Sequence, residues 1–461
     1  MNQPVFDIGI IGGGFSGAMV ATHLLNRNSS HRIALFERRG EPGHGAAYGT
    51  TVPEHLLNVP AGAMSALPDE PGDFLAWLRD RDPAATPLTF APRAVYGEYL
   101  VATLAAARER APGRLTTIRE EVIALRETEG TCELTTPAGR VRCRRVVLAT
   151  GHSEPGLPFQ CDPTLEAAGL VIRNPWRGGA LAGLAPQSTV LLLGSGLTAA
   201  DQIVEAVARG FRGHIFVVSR HGALPVAHRL PVAAVEFTAL PAAGSARGLL
   251  RSVRARIRQE LAAGGDWRGV IDALRPSTPA LWHALGTVEQ RRFLRHIRPH
   301  WDVHRHRVAA TIRQQLDGLV VSGQLEIIAG RIVETRPADD GIRAVIELRG
   351  GSERREVTVN RLINCTGPAT INRCSSPLTR MLLAEGIAAV DPLGIGFVTA
   401  AESRLRSATG ESSQMIRVVG PMLRGTHGEH TAVRELRMQA QEVAHALLRE
   451  LSSSQPTTYS S

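Results

Sequence analysis

The sequence predicts an α/β chain built on two copies of one strand–turn–helix–strand unit. Three observations predict it. Two apolar strands each run straight into a Gly-x-Gly turn, helix-spaced apolar residues follow each turn, and two later apolar strands each end in Thr-Gly.

The first copy opens the chain. Residues 5–11 (VFDIGII) read as a buried parallel strand, and Gly12-Gly13-Gly14-Phe15-Ser16-Gly17 follows at once. An amphipathic helix is expected to about Asn26, then a strand from Arg32 that ends on Glu37. That acid stands about 20 residues beyond the last glycine, which completes a dinucleotide fingerprint. Gly12 permits the tight turn, Gly14 lets the backbone approach a pyrophosphate, and Gly17 lets the helix lie close to the strand. The helix N-terminus offers unpaired N–H groups and a positive dipole end to phosphates. The Glu37 carboxylate accepts ribose hydroxyls and repels a 2′-phosphate, so this turn suits FAD or NAD rather than NADP.

The second copy repeats the order. Residues 189–193 (TVLLL) form the strand, and Gly194-Ser195-Gly196-Leu197-Thr198-Ala199 form the turn, with alanine in the third glycine position. A helix is expected to about Ala208 and a strand from His214 to Val218, followed by Ser219-Arg220-His221. No carboxylate stands at this end. A hydroxyl and a guanidinium fit a 2′-phosphate, which favours NADPH over NADH, although Arg220 is also an ordinary surface residue type.

Each turn has its own later partner. Residues 121–151 alternate as short strands and end in VVLATG, with Thr150-Gly151, and residues 331–367 do the same and end in LINCTG, with Thr366-Gly367. The second copy is longer because residues 246–316 intervene, with helical spacing and many arginines. Trp267, Trp282 and Trp301 read as helix-packing residues, and His304-Arg305-His306-Arg307 as a solvated or salt-bridged face rather than an anion clamp. From about 368 the chain is expected to add a strand at Ile416–Val419, a Gly420-Pro421 turn and an amphipathic helix from Thr431 to Leu451.

Composition narrows the chemistry. Every basic residue is arginine, which excludes lysine Schiff bases and a P-loop lysine of the chain's own. The net charge of +9 is dispersed and no nucleic-acid module is visible, so no nucleic-acid partner is expected. No apolar run is long enough to cross a bilayer and no signal peptide is evident, so a cytoplasmic protein without a membrane span is expected. The five cysteines form no C-x-x-C and read as buried thiols. His427-Gly428-Glu429-His430 has H-x-x-H spacing but no further ligands, so no metal site is expected.

In this order the chain resembles the two-dinucleotide-binding-domain flavoproteins, which include flavin monooxygenases, N-hydroxylating monooxygenases and pyridine-nucleotide disulfide reductases. Five stretches bring it near the YdhS-like bacterial FAD/NAD(P)-binding proteins. They are GHGAAYGTTVPEHLLNVPAGAMSALP at 43–68, PRAVYGEYL at 92–100, GSGLTAAD at 194–201, RFLRHIRPHWDVHRHR at 292–307 and GPMLRG at 420–425. That branch is similar to amino-acid N-hydroxylases and includes aspartate N-oxygenases. The resemblance implies two Rossmann-like domains, an NADPH domain (166–367, with the helical insert at about 246–316) set inside a split FAD domain (1–165 and 368–451), and a disordered tail at 452–461. The Gly-x-x-x-His of flavin monooxygenases is missing, since Ile172-Arg173-Asn174-Pro175-Trp176 stands there, and Gly428 replaces the tryptophan that relatives carry before the last-loop glutamate.

FAD is expected at Gly12, Gly14, Phe15, Ser16, Gly17, Glu37 and Arg38, with Val122 toward the adenine and Thr150-Gly151 near the pyrophosphate. His55–Ser65 is expected beside the flavin. Asn58 fits either an amide bonded to its polar edge or a turn before Pro60. Gly420 and Pro421 are expected to close over the ring. NADPH is expected at Gly194, Ser195, Gly196, Leu197, Thr198, Ser219, Arg220 and Gly367. Asn58 and Arg424 are the catalytic candidates, and Arg424 and Arg437 suit either a substrate carboxylate or a surface ion pair. The chemistry expected first is oxygenation of a small amine or amino acid through a peroxyflavin. Electron transfer to a quinone or protein is the alternative, and redox sensing comes last. With no cysteine before Cys132, dithiol chemistry near the first helix is excluded.

Overall fold

The computed structural model describes residues 5–237 and 244–453. The expected tail lies outside them, except that Ser452 and Ser453 complete the last helix, Val433–Ser453. The chain folds as two compact units and passes between them four times. The first gathers residues 5–49, 60–153 and 370–453, and the second gathers Thr50–Val59 and Glu154–Ala369.

In the first unit the strands run in the order Arg404–Arg406, Ser412–Val418, Gly139–Leu148, Val5–Ile11, Ile33–Phe36, Leu115–Ile118. All neighbours except the outermost Arg404–Arg406 pair are parallel. Parallel strands are covered on both faces, and residues 8–11, 33–36 and 146–148 at the centre of this sheet are accordingly buried without a break. Ala124–Thr128 and Thr131–Thr136 form the antiparallel hairpin that leads into Gly139–Leu148.

Helix Phe15–Leu25 is buried along its whole length, not amphipathic as expected. It lies against Val5–Ile11 and Ile33–Phe36 and also packs on helices Arg93–Arg110 and Val433–Ser453, so no face is left for water. His23 is carried inside with it, and burial, helped by His445, pushes its pKa down to about 4. The last strand and last helix are joined by ions. Arg417 is fully buried and donates to Glu450 (Nη1–Oε2 3.0 Å), which Arg145 and Arg404 also reach. Burial alone would raise the Glu450 carboxyl, but the arginine contacts outweigh it and hold the pKa low.

The second unit's sheet runs Arg354–Val359, Gly341–Leu348, Leu325–Ala338, Ile215–Ser219, Val190–Leu193, Arg361–Asn364, Val171–Ile172. Leu325–Ala338 serves twice. Its start pairs parallel with Ile215–Ser219, and beyond Gly330 it pairs antiparallel with Gly341–Leu348. The insert is helical, with Ala246–Ala262, Trp267–Leu274, Thr278–Ala284, Thr287–Arg292, Arg298–Arg305 and Ala310–Val321. Its small core holds Val253, Ile271, Leu274 and Leu281, with Trp267 and Trp301 packed against it. Of the His304–Arg307 run, expected to be a solvated or salt-bridged face, His304 is exposed and Arg307 is ion-paired with Asp272, while Arg305 (5% exposed) and Arg307 (3%) are carried inside.

Candidate dinucleotide sites

Gly12 has φ +105°, and a Cβ there would stand 2.3 Å from the Ala149 carbonyl oxygen. That contact presses the turn against the residue just before Thr150-Gly151. At Gly17 a Cβ would stand 1.9 Å from the Gly12 oxygen. Both positions therefore admit only hydrogen. The helix that follows has no side-chain cap and no acid in its first turn. Some helices elsewhere are capped, as where Ser245 accepts from Gly248, Asp266 from Arg268 and Ser376 from Thr379, while Arg93–Arg110 and Ala310–Val321 are uncapped too, so it is the glycine turn before the uncapped end that marks this one. An uncapped helix end behind a glycine turn is the arrangement that receives a phosphate.

Glu37 is 8% exposed and its carboxylate is already oriented. Oε2 accepts from the Gly13 N–H (2.9 Å) and Oε1 from the Arg39 N–H (2.7 Å). A carboxylate has about four acceptor positions, so capacity for ribose hydroxyls remains. The Thr150 hydroxyl is buried without a hydrogen-bond partner among the described residues, beside a Gly151 at φ +71°. A buried orphan hydroxyl next to an uncapped helix end fits a bound pyrophosphate ligand such as FAD. Arg38 is engaged by Glu121 at the surface, and Val122 is buried in the unit's core with Phe36 and Leu148.

Gly420 backs onto the same helix start, where a Cβ would stand 2.9 Å from Ser16 Oγ. Its N–H donates to Gln439 Oε1 (2.9 Å), so it is not aimed at a ligand, and Pro421 has no N–H to offer. Gln439 on the last helix also meets His430 Nε2 and Ser403 Oγ, and so fixes the loop before that helix. Arg424 donates to the Ile395 carbonyl (3.3 Å), and Arg437 to the Ser65 carbonyl (2.8 Å).

The second turn repeats the first. Gly194 has φ +104°, and a Cβ would stand 2.6 Å from the Cys365 carbonyl oxygen, just before Thr366-Gly367. Helix Leu197–Ala208 is likewise uncapped and without an acid in its first turn. Ser219 occupies the place of Glu37. Its hydroxyl meets Ser195 Oγ (2.9 Å) and accepts from the Gly222 N–H (3.1 Å), while Ser195 donates to the Ala223 carbonyl.

Arg220 is exposed beside this hydroxyl pair. Its neighbours carry no local signal in the sequence. Ser219 lies in register with Ala329, whose carbonyl accepts from the Arg349 N–H, so Arg349 belongs to the same rim. His221 and His300 meet ring to ring, with centroids 5.0 Å apart. Burial, then Arg349, His300 and Arg220, hold His221 below its ordinary pKa. Only a register between distant strands brings Arg349 here, and no local spacing marks it.

Asn58 belongs to the second unit, not to the unit with the first glycine turn. Its carbonyl accepts from His228 Nε2 (3.0 Å). Three residues earlier, His55 is buried in the same unit, with Nδ1 on Thr50 Oγ1 (2.9 Å) and Nε2 3.4 Å from Glu205. The segment predicted to line a flavin is thus pinned to the second unit's helix. Burial pushes the thiols of Cys132, Cys143 and Cys365 up strongly and that of Cys161 up as well, away from the reactive thiolate.

A family model described as FAD-NAD(P)-binding matches residues 9–153, the segment that carries the first glycine turn and its Thr-Gly. No curated protein sequence matches the chain. Among solved structures, the chain is similar to the ornithine N-hydroxylase of Kutzneria sp. 744 at 15% identity, covering 97% of this chain and 100% of that one, with a TM-score of 0.64. It is similar to the L-lysine 6-monooxygenase of Pseudomonas syringae at 18% identity, with 96% and 99% covered and a TM-score of 0.65. It is also similar to Lactococcus lactis thioredoxin reductase at 12% identity, with 97% and 99% covered and a TM-score of 0.56. The chain has the α/β fold of the two-dinucleotide-binding-domain flavoproteins, with two Rossmann-like sheets.

Proposed function

We propose that this chain is an FAD-dependent, NADPH-consuming oxidoreductase that oxygenates a small nucleophile, an amine or amino acid. One observation carries the cofactor pair: two glycine turns built alike differ at the position that meets the ribose. Glu37 in the first turn favours a ribose without a 2′-phosphate, and Ser219 with Arg220 in the second favours one that carries it. The orphan Thr150 hydroxyl and the two uncapped helices are consistent with dinucleotides at both turns. When bound, FAD supplies the route by which electrons pass from the nicotinamide to an acceptor.

The protein's own part is placement. Gly12, Gly14 and Gly17 bring backbone against the first pyrophosphate, while Phe15, Ser16 and Gly17 present helix N–H groups. Gly194, Ser195, Gly196, Leu197 and Thr198 do the same in the second unit, with Gly367 beside them. Oxygenation is favoured over dithiol exchange because no cysteine precedes Cys132, no pair makes C-x-x-C, and burial holds Cys132, Cys143 and Cys365 away from the thiolate form. The amino-acid hydroxylases among the similar structures support an amine or amino-acid substrate.

The test is a turnover assay with FAD, NADPH, oxygen and a panel of amines and amino acids. The account expects substrate-stimulated NADPH oxidation and a product heavier by one oxygen atom taken from labelled O₂. NADPH oxidation that is driven by a quinone, with no oxygenated product from any amine, would replace this reading with electron transfer.

A further inference from the structure

Arg307 is 3% exposed, yet its guanidinium is only partly used. Nη2 meets Asp272, while Nε and Nη1 are buried with no hydrogen-bond partner. Among the described residues no other guanidinium has two such nitrogens. Leaving N–H groups of a charged side chain unpaired in the interior costs more than leaving neutral ones, so this is where a ligand acceptor is expected.

The surroundings have a definite geometry. Ala227 and Val308 form a parallel bridge, with the Val308 N–H on the Val226 carbonyl (3.1 Å) and the His228 N–H on the Val308 carbonyl (2.8 Å). Residues flanking a bridged pair point to the opposite face from that pair, so His228 and Arg307 share one face. His228 in turn reaches the Asn58 carbonyl, and Arg268 donates to the Ala227 carbonyl (3.0 Å). The charges of this group do not cancel. Arg229, Arg268 and Arg307 face Asp266 and Asp272, and burial with the Arg307 charge holds His228 at a pKa of about 4, so it is neutral near pH 7. One unit of positive charge is left over, which matches a monoanion better than a phosphate dianion.

We propose that Arg307 anchors the carboxylate of a small substrate acid in the second unit, beside His228 and Asn58. This rests on the oxygenase reading for the reaction, but the site itself is a binding site and is tested without turnover.

Binding of L-ornithine, L-aspartate and L-glutamate, and of their methyl esters, would be measured calorimetrically on FAD-loaded protein with NADP⁺ present. At least one acid should bind, and its ester should bind at least ~10-fold more weakly. Arg307→Gln should bring the acid down to the ester's level while NADP⁺ affinity is unchanged. Asp272→Asn, at a side chain that is 39% exposed, should tighten the acid ~3-fold or more by removing the competing carboxylate. That second variant keeps the proposal exposed if Arg307→Gln does not fold, because a purely structural pair predicts no gain. Equal binding of acid and ester, no binding of any acid, loss of NADP⁺ affinity in Arg307→Gln, or unchanged acid binding in Asp272→Asn would each overturn it.

Discussion

The two glycine turns are the same device set to different tolerances. In each, the first glycine presses on the carbonyl that precedes a Thr-Gly pair, at Ala149 in one unit and Cys365 in the other. They part at the third position. Gly17 has no room for a methyl group, whereas the equivalent Ala199 carries one and is buried with it. They part again at the threonine. The Thr150 hydroxyl is an orphan, while Thr366 donates to Asn364 Oδ1 (2.7 Å) and is satisfied within the protein. The first unit is a tight cradle with an unmet polar group. The second has its threonine met within the protein, and on the proposed reading its selectivity would lie at Ser219, Arg220 and Arg349.

The largest expected effect lies in how each unit is tied together. Glu450→Gln leaves the fully buried Arg417 with only Glu402 and should cost about 3–5 kcal/mol of stability. In the second unit Glu326 pairs with a partly exposed Arg355, each side chain more than a third open to water, so Glu326→Gln should cost about 0–1 kcal/mol. Chemical denaturation of both variants checks this, and equal losses would erase the contrast.

Next comes the third glycine position. Gly17→Ala should abolish FAD retention and cost about 1–3 kcal/mol or more through overpacking. Ala199→Gly should keep nucleotide binding and cost roughly 0.5–1 kcal/mol. At the rim, Arg220→Ala should weaken NADPH about 10-fold and NADH little, read as KM for each. Equal changes would remove the 2′-phosphate role.

The threonines give the smallest difference and the sharpest sign. Thr366→Val should cost about 1 kcal/mol of stability in the protein without ligand, because Asn364 Oδ1 loses the shorter of its two donors from Thr366. Thr150→Val should cost little or nothing there and should weaken FAD instead. Both units should share one acid sensitivity. His23 and His228 have folded pKa values near 4 against 6.5 unfolded, so only the unfolded chain takes up their protons as pH falls below 6.5. Stability should decline from there to about pH 4, and His23→Gln should flatten part of that slope in a melting series.

Much of this was legible because the fingerprint is local. Strand, glycines, helix and acid lie within one short stretch, and their order alone placed Gly12–Glu37 and Gly194–Arg220. What was not legible depends on distant partners. The all-round burial of Phe15–Leu25 comes from helices far along the chain. Arg349 reaches Ser219 only through a strand register, and Asn58 joins the second unit through His228 and the neighbouring His55–Glu205 contact. Arg307 looked like one residue of a charged run, and only its packing against the 226–228 segment shows it to be buried.

On the proposed function, one chain holds a flavin that a pyridine nucleotide reduces. Anaerobic titration of the FAD-loaded protein with NADPH tests it most directly. The account predicts bleaching of the flavin absorbance by about one equivalent of NADPH per chain, at lower concentrations than NADH requires. A protein that retains no FAD, or whose bound FAD neither nucleotide bleaches, would contradict it.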